Sequence, residues 1–494
     1  MRGEMARGAA WMVLFRLFDR SIGVVSTTIL ARLLVPADFG LVAMAMSVIA
    51  IIELATSFSF EVALIQKPDP QREHFDTAWT LNIAFSLGCA GLTAALAYPA
   101  ASFYGDPRLA PVMLAIAAAW LVTGFENIGV VNFRRNMDFS SEFRFLATKR
   151  VIAFAVTIAA AVTFRSYWAL VIGTATGRIT GVALSYVMQS FRPRFSLACT
   201  RELFSFSGWL LANNIAGVVL TRVPHFFVGR VFGAQTLGAY TIGSEIAQLA
   251  HTELVQPINR AMFPGYARLV NEPENFRRVC VDATAAILLV VLPVSVGIAV
   301  MAAPVVRVLL GAQWSQAVPV IQILAFSGAV SAVTSNNIAA YLALGRPQLI
   351  TVILLARLLL FASIAMAFAR GEGVVNVALA ELFAAAGSLL VSLPILFSAL
   401  KLKTRDYLAS LWRPLLASAL MGIGLYLMFE LLPDQEGLSG AILELVIGVP
   451  AGAALYLSFV AALWGMAGRP QSVEMLIARR LYAGLSDRLR RTAS

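Results

Sequence analysis

The stretch that decides the fold occurs twice in this chain. RLLVPADFGL fills residues 32–41, and RVFGAQTLGA follows 198 positions later at residues 230–239. Each copy lies between the first and second long apolar segments of one half of the chain. A second pair supports the first: YGDPRLAPV at residues 104–112 corresponds to LGAQWSQAVPV at residues 310–320, with two residues inserted. Internal repeats among hydrophobic segments are typical of transporters built from two lobes around a central site.

The composition predicts a membrane protein made only of helices. Of the 494 residues, 59% are hydrophobic and 13% are charged, whereas a soluble domain carries about 25% charged residues. Apolar runs long enough to cross about 30 Å of hydrocarbon recur throughout the chain. We expect about fourteen transmembrane helices, with approximate limits at residues 11–34, 41–65, 78–99, 110–131, 146–164, 167–189, 208–229, 237–264, 280–303, 318–343, 348–369, 374–397, 412–432 and 440–464.

The repeat also predicts the domain organisation. Spans one to six form an N-terminal lobe (residues 1–200), and spans seven to twelve form a C-terminal lobe (residues 201–400). Because six is even, both lobes insert in the same orientation, as a parallel repeat around a central cavity. Two further helices occupy residues 401–466, and a basic tail occupies residues 467–494. The spacing of apolar residues in the tail fits an amphipathic helix on the cytoplasmic leaflet, and a weakly ordered tail is an equal alternative.

The lysines and arginines predict the orientation. They concentrate in one set of short connections and at both ends of the chain, which places both termini in the cytoplasm. The net charge of +11 therefore reflects membrane topology, and we expect no nucleic-acid partner. The first apolar stretch is interrupted by charges and lacks a small-x-small cleavage site, so it predicts a retained span instead of a cleaved signal peptide.

Polar residues recur at helical spacing in four spans that are equivalent in pairs under the repeat. Ionisable groups inside a membrane are costly, so they normally face a cavity or a partner. The stripes comprise Arg16, Asp19, Arg20, Gly23 and Thr27 in span one; Glu53, Ser57 and Glu61 in span two; Asn214, Gly217, Thr221, Arg222 and His225 in span seven; and Glu245, Gln248, Thr252, Glu253, Gln256, Asn259 and Arg260 in span eight. This pattern predicts a water-filled cleft between two lobes.

The chemistry of these residues suggests what the cleft binds. A guanidinium group offers a planar fork that suits phosphate and carboxylate oxygens. The predicted substrate-binding residues are Arg16, Arg20, Asn214, Arg222, His225, Gln248 and Arg260. The predicted ion-coupling residues are Asp19, Glu53, Glu61, Glu245 and Glu253.

Simpler roles compete with these. Arg16 and Arg20 are close enough to the end of their helix to snorkel to the interface, and Asp19 can neutralise Arg16 across one turn. Glu61 and Arg260 can equally be interfacial, and a packing role is common for a histidine such as His225. We expect three further cations, Lys149, Arg150 and Arg178, to lie at the membrane interface or to form pairs between helices.

Motifs for enzymatic chemistry are missing from the sequence. It has no P-loop, HExxH, paired CxxC or GxSxG pattern, and its three cysteines are scattered like small buried hydrophobes. We therefore expect no cofactor, no metal and no enzymatic activity. A polysaccharide ligase or polymerase is a third candidate, but the short connections and the repeat oppose it.

Several motifs resemble those of the polysaccharide transport family of Wzx-type flippases. They are ILARLLxPxDFGL from Ile29, ALIQ at residues 63–66, FDTAW at residues 75–79, FRRxMxF from Phe133 and GxxW from Gly311. The family is related to lipid II flippases and multidrug exporters that share a two-lobe fold. The resemblance covers most of the chain up to about residue 400.

The resemblance implies that undecaprenyl-diphosphate-linked oligosaccharides cross the bacterial inner membrane, from the cytoplasmic to the periplasmic leaflet, for exopolysaccharide, capsule or O-antigen assembly. It also implies neighbours such as a polysaccharide polymerase and a chain-length regulator. Without an ATP site, an ion gradient or consumption of product must drive transport by alternating access. The main alternative is a cation-coupled multidrug or metabolite antiporter on the same fold, which the arginines disfavour.

Overall fold

The computed structural model describes residues 2–54, 60–67, 69–368, 373–431, 437–468 and Met475. Throughout these residues the secondary structure is helical and contains no strand. The predicted tail helix lies outside them. Contacts divide the chain into two compact units, Met1–Thr241 with Leu309–Gln313, and Ile242–Val308 with Trp314–Ser494.

The first unit is a set of long helices joined by short turns. They are α1 (Arg2–Leu33), α2 (Pro36–Leu54), α3 (Phe60–Gln66), α4 (Arg72–Tyr104), α5 (Leu109–Thr123), α6 (Val131–Arg135), α7 (Phe139–Phe164), α8 (Trp168–Met188) and most of α9 (Thr200–Ala247). Within it α7 packs on α8 and α1, and α5 packs on α4 and α8. Where α1, α7 and α8 meet, they bury an apolar cluster that includes Leu30, Ala161 and Ala169.

The second unit has its own apolar core. Its helices are α10 (Gln256–Leu269), α11 (Pro273–Val300), α12 (Ala302–Leu309, whose last residue belongs to the first unit), α13 (Ala317–Ala343), α14 (Pro347–Phe368), α15 (Val374–Leu400), α16 (Thr404–Leu431) and α17 (Leu438–Met466). The main core lies where α11, α13 and α15 pack together. The last two helices, α16 and α17, pack on each other, and α16 also packs on α11.

The long apolar helices account for most of the predicted spans. Among the described residues, ten helices are long and apolar enough to cross a bilayer. An eleventh crossing results if α5 and the segment Ile128–Arg135, which meet at 69°, count as one span. The expected spans at 11–34, 208–229 and 237–264 fall on α1, α9 and α10, the helices that carry most of the polar stripes. The total of fourteen and the two repeated lobes stay predictions.

Both copies of the repeated stretch contain a break between two helices. In the first copy α1 ends and Pro36 begins α2, a position where its missing N–H costs nothing. The Asp38 side chain accepts the backbone N–H of Val35 (3.2 Å) and that of Tyr167 (3.1 Å), which fixes the turn. In the second copy Gly233, 198 positions after Val35, interrupts α9 with a positive φ of 77°.

The two copies also contact each other inside the first unit. A Cβ atom added to Gly40 would lie 1.7 Å from the carbonyl oxygen of Ala234, and one added to Gly238 would lie 1.8 Å from the carbonyl oxygen of Pro36. Under the offset of 198, Pro36 corresponds to Ala234 and Gly40 to Gly238. The contact is therefore reciprocal, and it requires glycine at both positions because backbone meets backbone.

The second pair of similar stretches packs beside the first. Gly105 and Gly311 have positive φ values of 71° and 101° and follow the ends of α4 and α12. Beyond Gly311, the Gln313 amide donates to the carbonyl of Leu34 (3.0 Å) and to that of Ala31 (2.5 Å), which satisfies carbonyls at the end of α1. This contact explains why a short piece of the chain near residue 310 belongs to the first unit.

The segment between α8 and α9 is held on the first unit by side chains of α4. The backbone N–H of Arg194 donates to Asp76 (2.9 Å), and that of Ser196 donates to Thr80 (3.0 Å). The ring of Phe191 packs on Phe75. Residues 189–199 form neither helix nor strand, so their backbone N–H groups need other partners. Polar side chains accept hydrogen bonds from two of these groups and hold the segment in place.

Candidate functional site

The first unit contains a cavity of about 640 Å³. Its walls come from α1, α2, α7, α8 and the part of α9 that belongs to this unit. Among the described residues its charged lining consists of four cations and one carboxylate: Lys149, Arg150, Arg178, Arg222 and Asp19. The formal charge of this lining is therefore +3, and an anion is the ligand that such a cavity favours.

Small residues on α8 bring the cationic side chains of α7 into place. Three glycines follow one another at steps of four, Gly173, Gly177 and Gly181, and this face packs on α7. A Cβ on Gly173 would lie 1.9 Å from the Thr157 hydroxyl, and a Cβ on Gly181 would lie 2.7 Å from the Lys149 ammonium. Close packing of small residues is how membrane helices approach each other, and here it presses Lys149 toward the cavity wall.

Acidic partners accompany the cavity cations. Asp19 on α1 pairs with Arg150 on α7 at 2.9 Å. Arg178 on α8 lies 4.0 Å from Glu53 on α2, and Glu53 also lies in the electrostatic field of Arg222. These pairs lower the cost of keeping charges inside a membrane helix bundle.

His225 occupies the cavity wall one turn after Arg222. Its Nδ1 donates to the carbonyl of Thr221 at 3.1 Å, and its ring meets that of Tyr240 edge to face at 5.5 Å. A carbonyl oxygen can only accept a hydrogen bond, so Nδ1 must carry the proton. In the neutral tautomer Nε2 therefore has no proton and can accept a hydrogen bond. His225 can thus accept a hydrogen bond from a ligand hydroxyl.

The structure brings together only some of the predicted site residues. Asp19, Arg222 and His225 line the cavity, and Glu53 reaches its edge through Arg178. Arg16 is exposed and Arg20 half-buried on α1, and neither lines the cavity. Glu61 lines a second, smaller pocket of the same unit.

The remaining predicted residues are distributed as follows. The side chains of Asn214 and Arg260 lie outside the described part of the chain. Glu245 is exposed in the second unit, where Gln248 and Glu253 are half-buried. Glu253 belongs to a π-helical turn, His251–Val255, a feature that often accompanies functional positions.

Sequence reasoning missed part of the site. Arg150 and Arg178 do form pairs between helices, as expected, but together with Lys149 they also line the cavity, which was not expected. The overlooked signal was the glycine spacing on α8. It predicts a close helix contact, and a cation beside such a contact has little room to reach the membrane surface.

One group of described side chains has the atoms and spacing to hold a metal ion. The ligand atoms of His74, Cys199 and Glu202 lie within 4.8 Å of one another. The Lys67 ammonium already contacts His74 and donates to Glu202, and His74 Nε2 donates to Glu202 at 3.1 Å. These hydrogen bonds, that from Lys67 foremost, hold the pKa of the Glu202 carboxyl below its usual range. Lys67 thus supplies the positive charge, and the group fastens the start of α9 to α4.

Comparison with known proteins identifies the family. A family model described as polysaccharide biosynthesis protein matches residues 29–319, more than half of the chain. The chain belongs to this family. Its relatives are the Wzx-type proteins that the motifs suggested. Escherichia coli (strain K12) lipopolysaccharide biosynthesis protein WzxC is 24% identical over 345 residues, which covers 67% of this chain and 68% of WzxC.

A second relative is also similar in sequence, and two solved structures are similar in fold. Succinoglycan biosynthesis transport protein ExoT of Rhizobium meliloti (strain 1021) is 22% identical over 325 residues, 65% of this chain and 66% of ExoT. The lipid II flippase MurJ, in an inward closed conformation, aligns with a TM-score of 0.74 at 15% identity, covering 92% of this chain and 100% of MurJ. An inward-facing multidrug resistance transporter of the MATE family aligns with a TM-score of 0.58 at 14% identity, covering 78% and 95%. The chain therefore has the fold of these multi-span membrane proteins.

Proposed function

We propose that this protein is a flippase for undecaprenyl-diphosphate-linked oligosaccharides in the bacterial inner membrane, with both termini in the cytoplasm. The observation that carries the proposal is the cationic cavity of the first unit, in a chain whose family serves polysaccharide biosynthesis. The relative ExoT is named a transport protein, and MurJ is named a lipid II flippase.

The charge of the cavity selects for a diphosphate over a cation. Two unit charges about 4 Å apart interact by about 4 kcal/mol at an effective dielectric constant of 20. Three of the four cations already have a carboxylate beside them, so a diphosphate gains from this charge to the extent that it displaces those carboxylates. The arginines among them add forked hydrogen bonds that a phosphate oxygen pair accepts.

The same geometry suits transport without ATP. The polyprenyl tail stays in the lipid, while the diphosphate and its glycan enter the cavity from the cytoplasmic side and leave it on the other side as the lobes rock. Asp19 and Glu53 are the candidate coupling carboxylates in this unit, and both lie beside an arginine. A bound diphosphate competes for these arginines, which frees the carboxylates to take up a cation.

The test is leaflet-resolved accumulation of lipid-linked oligosaccharide in a deletion strain. We expect the intermediate to build up on the cytoplasmic leaflet and to be cleared by the wild-type gene. The variants Lys149→Gln and Arg222→Gln should fail to clear it. Arg278→Gln is the matched control because that side chain is 75% exposed, outside the cavity, and it should behave as wild type.

An antiporter on the same fold is the second candidate. The MATE likeness favours it, whereas a cavity lining of charge +3 opposes export of cationic compounds. If deletion leaves the lipid-linked intermediate on its normal leaflet, the flippase proposal is wrong and the antiporter should be tested by drug sensitivity.

A further inference from the structure

A second pocket lies in the first unit, next to the cationic cavity. It measures about 240 Å³, and six of the ten described residues that line it carry a hydroxyl, amide or carboxylate group. Pockets for drug-sized ligands occupy about 300–1,000 Å³, so this one suits a group about as large as a single sugar ring. Its walls come from α3, α4, α5 and the turn after α5.

Polar groups face this pocket, and one of them has no hydrogen-bond partner among the described residues. The indole Nε1 of Trp120 is buried and has no hydrogen-bond partner among the described residues. Asn82 and Ser86, one turn apart on α4, add an amide and a hydroxyl group to the lining of the same pocket. Buried donors and acceptors normally find partners, so an unpaired one in a pocket indicates what its ligand must supply. Together these groups call for a ligand that both donates and accepts.

The charges of the pocket further limit the chemical classes of ligand that fit it. Glu61 lies 3.7 Å from Arg134, and Glu126 lies 3.8 Å from Lys149, so each carboxylate already has a cation beside it. An anionic ligand would meet two carboxylates, and a metal ion would meet the indole N–H of Trp120. A neutral polyhydroxyl compound fits all these groups, because each of its hydroxyls donates to a carboxylate or accepts from an N–H.

Two side chains join this pocket to the cationic cavity. Arg178 lines the cavity, and its guanidinium lies 4.2 Å from the ring centroid of Trp120 and donates to Thr123 at 3.3 Å. Lys149 also lines the cavity and pairs with Glu126 of the pocket. At both places a side chain of the cavity lining is in direct contact with a side chain of the pocket lining. A diphosphate bound by these cations would hold its directly attached sugar within reach of the pocket.

We infer that this pocket, formed around Asn82, Ser86, Trp120 and Glu126, binds the sugar attached to the diphosphate. The inference rests on the proposed function, and it divides recognition between two sites. The cationic cavity binds the diphosphate, which all such lipids share. The small pocket binds the first sugar and determines which glycans the protein prefers.

The experiment measures binding of two probes to the purified full-length protein. One probe is undecaprenyl diphosphate, and the other is the lipid-linked oligosaccharide pool extracted from the deletion strain. Trp120→Phe keeps the ring and removes the N–H, and Asn82→Ala removes the amide. Each should weaken oligosaccharide binding about tenfold, as expected for one lost buried hydrogen bond, and leave undecaprenyl diphosphate binding unchanged. Lys149→Gln should weaken both.

The possible failures are separable. If the wild-type protein binds neither probe, the proposed function is wrong. If it binds both probes equally well, or if Trp120→Phe and Asn82→Ala weaken both probes to the same extent, the sugar pocket is wrong and the flippase proposal survives. Thermal denaturation of each variant shows whether it is folded, and Ser86→Ala provides a second, smaller deletion at the same pocket.

Discussion

The contact between the two copies of the repeated stretch should be sensitive to a single methyl group. A Cβ on Gly40 would lie 1.7 Å from the Ala234 carbonyl oxygen, whereas a tolerable carbon–oxygen contact is about 3.3 Å. The two backbones would have to separate by about 1.6 Å. A gap of 0.5–1 Å already forfeits a quarter to a half of the dispersion energy across a packed face, so we expect Gly40→Ala to cost about 3 kcal/mol, the upper end of over-packing effects.

Thermal unfolding of the purified protein measures this cost. For a domain of 150–250 residues, about 3 kcal/mol corresponds to a fall of about 6–12 °C in the apparent Tm. Gly88→Ala and Gly91→Ala are matched controls, because a Cβ at either position on α4 would meet nothing within 4 Å. These controls should unfold at or slightly above the wild-type temperature, since alanine favours a helix over glycine by up to about 1 kcal/mol.

The double variant tests whether the contact is one reciprocal unit. A separation that accommodates Gly40→Ala also makes room for the Cβ of Gly238→Ala, so the double variant should lose clearly less than the sum of the two single losses. Additive losses would show that the glycines act independently. A Gly40→Ala protein that melts with the α4 controls would refute the argument altogether.

Other predictions concern the cavity and the segment that precedes α9. Gly173→Ala should destabilise by about 1–3 kcal/mol in thermal unfolding, whereas Gly177→Ala, whose Cβ would lie 3.4 Å from its nearest neighbour, should be neutral. Asp19→Asn should tighten undecaprenyl diphosphate binding, because it releases Arg150; weaker binding in a direct assay would contradict the assigned pair. Since hydrogen bonds lower the pKa of Glu202, its stabilising effect should be full above the ordinary glutamate pKa and disappear as the pH falls through the lowered value. Proteolysis of residues 189–199 should therefore speed up in acid, and Glu202→Gln should remove that pH dependence.

Helical periodicity in the sequence marks residues that share a polar stripe. Asp19, Arg222 and His225 belong to such stripes, and they line the cavity of the first unit. A stripe is visible in a sequence because several polar residues share one face of one helix. The same reasoning placed Arg16 in the cavity, where the structure does not have it. Periodicity identifies the helix face on which a residue lies, but it does not identify the neighbouring helix that packs on that face.

The rest of the site depends on contacts between helices far apart in the sequence. The glycine spacing of α8 predicts a close helix contact beside Arg178, but it does not identify the helices that Arg178 meets. Its role comes from meeting Glu53 on α2 and Trp120 on α5. The small pocket arises in the same way, because α3, α4 and α5 each contribute one or two of its polar groups. These polar groups come together only in the folded protein, so the sequence of any single helix does not predict the pocket.

The pairing of the cavity cations bears on how a transporter returns without its substrate. An empty cavity with four bare cations would be unstable inside a membrane, because each unpaired charge there is costly. In this structure Arg150 has Asp19, Arg178 has Glu53, and Lys149 has Glu126 as alternative partners. On the proposed function, binding a diphosphate exchanges partners instead of creating charge pairs from isolated ions, and release restores the original pairs. The carboxylates among the cavity arginines thus oppose tight binding, and a carrier that must release its cargo and reset needs that opposition.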